Sequence, residues 1–215
     1  MIYVDTAVSK TVPKGTFIKD NMTAFGRRCK RVIDCIAAAV AMVIFAPLFA
    51  ICYIAIRRED GGPAIYAQER IGWHGKPFKI YKFRSMRLDA EKMGPQLSHG
   101  GGENDPRLTK VGAFIRAHHL DELPQLFNVI RGDMSLVGPR PLICEENELH
   151  DGRQRAGVYA LRPGITGMAQ IGGRNSLDDR EKLEKDTYYL HNLRPSLDAK
   201  ILFSTLSCVI KREGS

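Results

Sequence analysis

The chain has 215 residues, 44% of them hydrophobic, and its 32 Lys and Arg against 24 Asp and Glu give a formal net charge of +8. That length fits one domain, or one domain with an appendage, and that apolar share excludes wholesale disorder. The basic balance points to anionic partners: nucleic acid, anionic lipid or phosphorylated substrates.

Residues 1–23 read as a polar, loosely ordered lead containing Pro13 and Gly15. The basic run Arg27-Arg28-Cys29-Lys30-Arg31 follows, then an uncharged stretch from Cys35 to Ile56, then Arg57-Arg58. The uncharged stretch is long enough to cross a hydrocarbon core of about 30 Å as a helix. It starts too late and runs too long for a secretory signal. Two features favour a re-entrant hairpin over a straight span or a buried soluble helix. Both flanks are basic, so a through-span would carry one cluster to the wrong side. Pro47 sits near the middle and breaks helical bonding there. Asp34, one turn after Lys30 and Arg31, is placed to pair with them. The five cysteines (Cys29, Cys35, Cys52, Cys144, Cys208) form no C-x-x-C pair, which fits neither a disulfide framework nor a zinc site and suits a reducing cytosol. Cys35 and Cys52 read as packing residues.

After the turn Glu59–Pro63, residues 64–73 and 76–86 alternate in character and predict a short hairpin. Its second strand carries Lys76, Lys79, Lys82 and Arg84; the last two read as an anion site or as a solvated strand face. Trp73 reads equally as a membrane-interface anchor and as local packing. Leu88 to Lys92 starts a helix that Gly94-Pro95 stops, and the glycine-rich run to Asn104 predicts a loop near the site. Thr109 to His119 predicts a basic amphipathic helix with Val111, Phe114 and Ile115 inward. The adjacent His118 and His119 make a poor metal pair.

The chemistry concentrates between Ala117 and Pro141. Asp121 and Glu122 are adjacent, and Pro124 suits a helix's first turn, so a helix is expected to begin near Asp121 and run through Ile130. Both acids would then lie at the positive end of its dipole. Alone, such a pair is most often an N-cap and a first-turn acid. Its neighbours include Arg116, Arg131 and Arg140, the last held between Pro139 and Pro141. Arginine grips phosphate in a bidentate fork, so the pattern suits a phosphoryl or phosphosugar site. One acid would attack phosphorus and the other would hold a divalent cation. Farther on, residues 144–156 read as a charged helix and Leu161–Gly167 as turns, with Arg162 and Arg174 as further phosphate contacts. Residues 177–189 read as a polar helix and 197–210 as an amphipathic one facing the core or a membrane surface. No nucleic-acid-binding motif is present, and an uncharged run of this length is hard to place in such a protein.

Read together, the motifs resemble the bacterial sugar transferases, the monotopic polyprenyl-phosphate phosphoglycosyl transferases. The matching pieces are Lys30-Arg31-x-x-Asp34, Tyr66-x-Gln68-x-Arg70-x-Gly72, Gly75-Lys76-x-Phe78, Lys82-Phe83-Arg84-Ser85-Met86, Asp105-Pro106-Arg107-x-Thr109, Leu120-Asp121-Glu122-Leu123-Pro124-Gln125, Gly132 through Pro141, and Pro163-Gly164-Ile165-Thr166-Gly167. The chain looks like the short, exopolysaccharide-initiating form. It departs from the family in Ala46 where Ser usually precedes the kink proline, and in Gly172 where Asn is usual.

The resemblance implies an α/β (α+β) fold, mostly helical with a small sheet, organised as a lead (1–23), a re-entrant membrane helix kinked at Pro47 (24–58) and a catalytic domain (59–215) facing the cytoplasm from the bacterial inner membrane. It implies ping-pong transfer of a sugar-1-phosphate from a UDP-sugar to undecaprenyl phosphate, with release of UMP. Asp121 would be the nucleophile and Glu122 would hold Mg²⁺. Arg140, flanked by Pro139 and Pro141, would clamp phosphate, with Arg116, Lys76 and Arg84 as further contacts. Inner-membrane lipids are expected partners, nucleic acid is not, and a homodimer is left open. A nucleotide-sugar hydrolase is the nearest rival, and a non-enzymatic membrane scaffold is the alternative outside enzymes.

Overall fold

The computed structural model describes residues 2–4, 22–90, 105–173 and 177–211. The glycine-rich loop and Arg174 lie outside them.

A short strand, β1 (Ile2–Val4), pairs in parallel with β2 (Ile65–Ile71). The start of the expected loose lead is therefore a sheet strand.

Helix α1 (Ala24–Ile44) begins at Thr23, whose side-chain oxygen accepts the Gly26 N–H at 3.1 Å. It stops at Phe45, and α2 (Ala46–Asp60) sets off at 62° with Pro47 in its first turn. Pro47 has no N–H to extend the α1 ladder. The expectation of one helix bent at Pro47 is corrected in detail: there are two helices, and the break falls at Phe45. Among the described residues no single helix is long and apolar enough to cross a membrane, but the bent pair passes that test together.

One side of this pair is built into the body. Ala38 is buried against Leu126 and Val129, and Cys52 and Ile56 against Phe83 and Ile115. The other side exposes Val32, Ile33, Ile36, Val40 and Val43 at helical spacing, continuing through Phe45, Ile51 and Ile54. Asp34 is buried and bridged to Lys30 at 3.4 Å, and it accepts a 2.6 Å bond from the Ser135 hydroxyl. Arg31 does not join it; its guanidinium donates to the carbonyls of Ile130 and Met134.

The predicted hairpin is present. Strand β3 (Pro77–Phe83) runs antiparallel to β2 in a register from Ile65↔Phe83 to Ile71↔Pro77. Trp73, in the connecting turn, donates its indole N–H to the Ala160 carbonyl, and the Arg162 guanidinium lies 3.8 Å over its ring. Both are local packing contacts.

Thr109 caps α3 (Lys110–Ala117), which buries Ile115. Phe114 is 59% exposed, against expectation, and stacks on His118 instead. Then come α4 (Gln125–Arg131), β4 (Ser135–Val137), α5 (Asn147–Arg155), β5 (Gly164–Thr166), the single turn α6 (Met168–Ile171), α7 (Asp179–His191) and α8 (Pro195–Lys211). Strands β4 and β5 pair in parallel, so the stretch expected to be turns contains a strand. A core of Val137, Leu161, Tyr189, Leu190, Leu197 and Ile201 joins this small sheet to α7 and α8. Lys30 reaches Asp198 of α8 at 2.8 Å, and Asp198 also accepts the Tyr189 hydroxyl. The bent helix pair is thus fastened to the C-terminal helices by part-buried polar bonds.

Candidate active site

The acid pair does not open a helix. His119 adopts φ 55°, turning the chain into a 3-10 turn at Leu120–Glu122. Leu123 and Pro124 follow in helical backbone, and α4 starts only at Gln125. Asp121 and Glu122 therefore stand just before a seven-residue helix, a correction to the expected start near Asp121.

The turn packs beside β3, where Lys82 Nζ meets Glu122 Oε1 at 3.0 Å. The registry between α4 and β3 is fixed by Asn128, fully buried, which accepts the Tyr81 N–H and donates to the Lys79 carbonyl. Burial raises the Asp121 carboxyl to about 6; Lys82 and Arg116 oppose the rise, and the neighbouring Glu122 adds to it. At neutral pH the carboxylate form still prevails.

Beside the pair is an open cleft whose lining combines the polar side chains of Arg70, Lys82, Glu122, Gln125, Arg140 and Gln170 with Ile80, Pro141 and Ile165. Three cations face one lining carboxylate, a distribution that favours a diphosphate. Burial, with Arg140 nearby, pulls Arg70 down to about 10. An anion between the two guanidiniums would relieve that repulsion.

The far wall depends on glycine. The Gly138 N–H donates to Thr166 O and the Gly164 N–H to Pro139 O, drawing β4 and β5 into close approach. A Cβ on Gly138 would lie 2.3 Å from the Arg162 carbonyl, and one on Gly164 would lie 2.1 Å from the Gly138 nitrogen. This crossing launches Pro139-Arg140-Pro141 on one side and α6 on the other. Arg153, buried and paired with Asp186, donates to the Arg140 carbonyl at 2.7 Å and steadies that segment.

Of the residues expected at the site, Glu122, Arg140 and Pro141 line the cleft, and Asp121 adjoins Glu122. Pro139 contributes its carbonyl to the strand crossing, and Arg116 acts on Asp121 through its charge. Arg84 is elsewhere. Its guanidinium is 6% exposed, clamped on Asp60 and on the carbonyls of Pro63 and Met86. Lys76 stands in the turn just before β3 and is not part of the cleft lining. Arg131 pairs with Asp133, and Arg162 donates to the Gly132 carbonyl as well as covering Trp73. Residue-by-residue reading had not assigned Arg70, Gln125 or Gln170 to the site, and it left Lys82 undecided. Arg70 and Gln125 sit inside matched motifs, which was the available signal.

Among the described residues no three or more Asp, Glu, His or Cys side chains converge as a metal centre. Mg²⁺ does not need one, because it is commonly held by one or two carboxylates together with substrate phosphates and water. Glu122 beside Asp121, both hard oxygen donors at a cationic cleft, fits that mode.

Comparison with known proteins finds the bacterial sugar transferase family matched over residues 25–212. The chain is 39% identical over 212 residues to an undecaprenyl-phosphate galactose phosphotransferase of Salmonella typhimurium, covering 92% of this chain and 44% of that protein. It is 40% identical over 204 residues to the exopolysaccharide production protein ExoY of Rhizobium meliloti, covering 88% and 89%. It is 40% identical over 194 residues to a UDP-N-acetylgalactosamine-undecaprenyl-phosphate N-acetylgalactosaminephosphotransferase of Aeromonas hydrophila, covering 86% and 44%. The chain thus spans less than half the length of the Salmonella and Aeromonas relatives.

Proposed function

We propose that this chain, which belongs to the bacterial sugar transferase family, moves a sugar-1-phosphate from a UDP-sugar to undecaprenyl phosphate and releases UMP. The observation that carries the reading is the acid pair on its turn, with Glu122 held by Lys82 at the mouth of a cleft that also contains Arg70 and Arg140. The Salmonella and Aeromonas relatives supply the substrate class.

In the first step a carboxylate oxygen of Asp121 attacks the sugar-bearing phosphorus, and the bond from that phosphorus to the oxygen of UMP breaks. The products are free UMP and a sugar phosphate joined to Asp121 as an acyl phosphate. In the second step a phosphate oxygen of the lipid attacks the same phosphorus, and the aspartyl carboxylate departs. Ionised Asp121 enters and leaves unchanged, so neither step requires a proton donor. Arg70 and Arg140 orient the diphosphate and offset its charge. Lys82 keeps the Asp121 carboxyl from rising further, which preserves the attacking form. Glu122 would hold Mg²⁺, which when bound would supply positive charge beside the diphosphate. A covalent step lets a water-soluble donor and a lipid acceptor use one small site in turn. The apolar face of α1 and α2 seats the enzyme at the cytoplasmic side of the inner membrane, where that acceptor lies.

The test is product analysis with UDP-sugars, Mg²⁺ and undecaprenyl phosphate. UMP and a lipid diphosphate sugar are expected, with Asp121→Asn slower by about 10³-fold or more. Free sugar phosphate in place of the lipid product would make the protein a hydrolase. An Asp121→Asn variant that transfers normally would remove Asp121 from the reaction.

A further inference from the structure

Gln170 lies on α6 and lines the same cleft as Glu122, Arg70 and Arg140. Both polar atoms of its amide are buried, and neither has a hydrogen-bond partner among the described residues. Buried polar atoms are nearly always bonded, and one left unsatisfied destabilises the fold. An apolar side chain of the same shape would be tolerated better here. The room for the amide is also specific: a Cβ on Gly167 would come within 2.7 Å of Gln170 Oε1. Arg70 Nε, in the same cleft, is likewise buried without a partner.

The missing partner has a definite chemistry. An amide offers a donor and an acceptor side by side, whereas phosphate oxygens only accept. A phosphate would satisfy Nε2 and be repelled by Oε1. The guanidiniums of Arg70 and Arg140 already suit the diphosphate. We infer that Gln170 is a recognition residue for a neutral polar group next to the donor's diphosphate, one that presents a hydrogen-bond donor and an acceptor on neighbouring atoms. On a nucleotide sugar that group belongs either to the uridine or to the hydroxyls or acylamino group of the sugar. The inference rests on the function proposed above and adds to it a residue that selects the donor.

The test uses Gln170→Met, close in shape and unable to hydrogen-bond, in the full-length protein with Mg²⁺. Two readouts should move in opposite directions. The ligand-free Tm is expected to stay level or rise, because an unsatisfied amide is removed. Calorimetric Kd values for UDP, UDP-galactose and UDP-N-acetylgalactosamine decide the ligand. A Kd about 10-fold or more weaker for all three assigns Gln170 to the uridine, and one weaker only for the sugar donors assigns it to the sugar; a contact made directly is expected to be worth about that factor. A lower ligand-free Tm would show that the amide has a protein partner, and unchanged Kd values for all three ligands would show that it has no recognition role. Either result overturns the inference. A wild-type protein that binds these ligands but does not transfer to undecaprenyl phosphate would contradict the proposed function, while the Kd comparison would still decide the role of Gln170.

Discussion

Lys82 on β3 and Glu122 in the 3-10 turn meet at 3.0 Å, so a strand cation and a turn acid are held together at the mouth of the cleft. The same lysine opposes the upward shift of Asp121. Replacing Lys82 with Met should therefore raise the Asp121 value above about 6 and shrink its ionised fraction at neutral pH. The acid limb of the pH–rate profile should move to higher pH, with kcat/KM at pH 7 lower by about 10–100-fold. Lys82→Arg should keep the limb near its original position. An unmoved limb in Lys82→Met would mean that Asp121 does not feel Lys82.

The raised Asp121 carboxyl also predicts a trade between activity and stability. An acid whose folded-state value exceeds its unfolded value disfavours folding whenever it is ionised. Asp121→Asn should thus be inactive yet more stable at pH 7.5, by roughly 1–2 kcal/mol, or about 2–8 °C in Tm. The gain should be full above the folded value near 6 and fade as pH falls toward the ordinary value of 3.8. Thermal melts of both proteins from pH 4 to 8 check this.

Arg84 separates a structural cation from a substrate contact. Its hydrogen bonds hold the Asp60 carboxyl below its ordinary value and tie the end of α2 to the exit of β3. Arg84→Met leaves Asp60 without its partner and should cost about 2–4 kcal/mol of stability. At temperatures where the variant stays folded, its donor KM should be unchanged. A large KM increase with a normal Tm would return Arg84 to the phosphate site.

Gly138 has no space for a side chain, since its Cβ would collide with the backbone of the strand crossing. Gly138→Ala should lose about 2–3 kcal/mol, as overpacked sites do. Because Arg140 and α6 both leave from this crossing, donor affinity should fall as well. Melting temperature and donor Kd measured on the same preparation check both effects.

What the sequence made legible was local. The hairpin followed from alternation and its turn, and the interruption near Pro47 followed from a missing N–H. The acid pair stood out by its arginine-rich surroundings. What it hid was non-local. Strands β4 and β5 have three residues each, too few to show a period, and they become strands only by pairing across an intervening helix. Strand β1 is equally short and is defined by its partner β2. Arg84 looked like Lys82 in sequence, being two residues on and of the same charge. Asp60, 24 residues earlier, is what separates their roles. Phe114 fits an inward helical position, but Ile115 and Val111 supply the face of α3 that packs with Ile56 and Phe83, and Phe114 stays exposed. Gln170 carries no charge and no motif signal, and only its burial without a partner marks it.

The central claim is that Asp121 carries the sugar phosphate. Its most direct test is the intact mass of detergent-purified protein incubated with Mg²⁺ and a panel of UDP-sugars, without lipid acceptor. The account predicts an added mass of one sugar phosphate, absent in Asp121→Asn and lost when undecaprenyl phosphate is supplied. Turnover to lipid product with no adduct under any donor that supports it would contradict the covalent role of Asp121 and establish direct transfer.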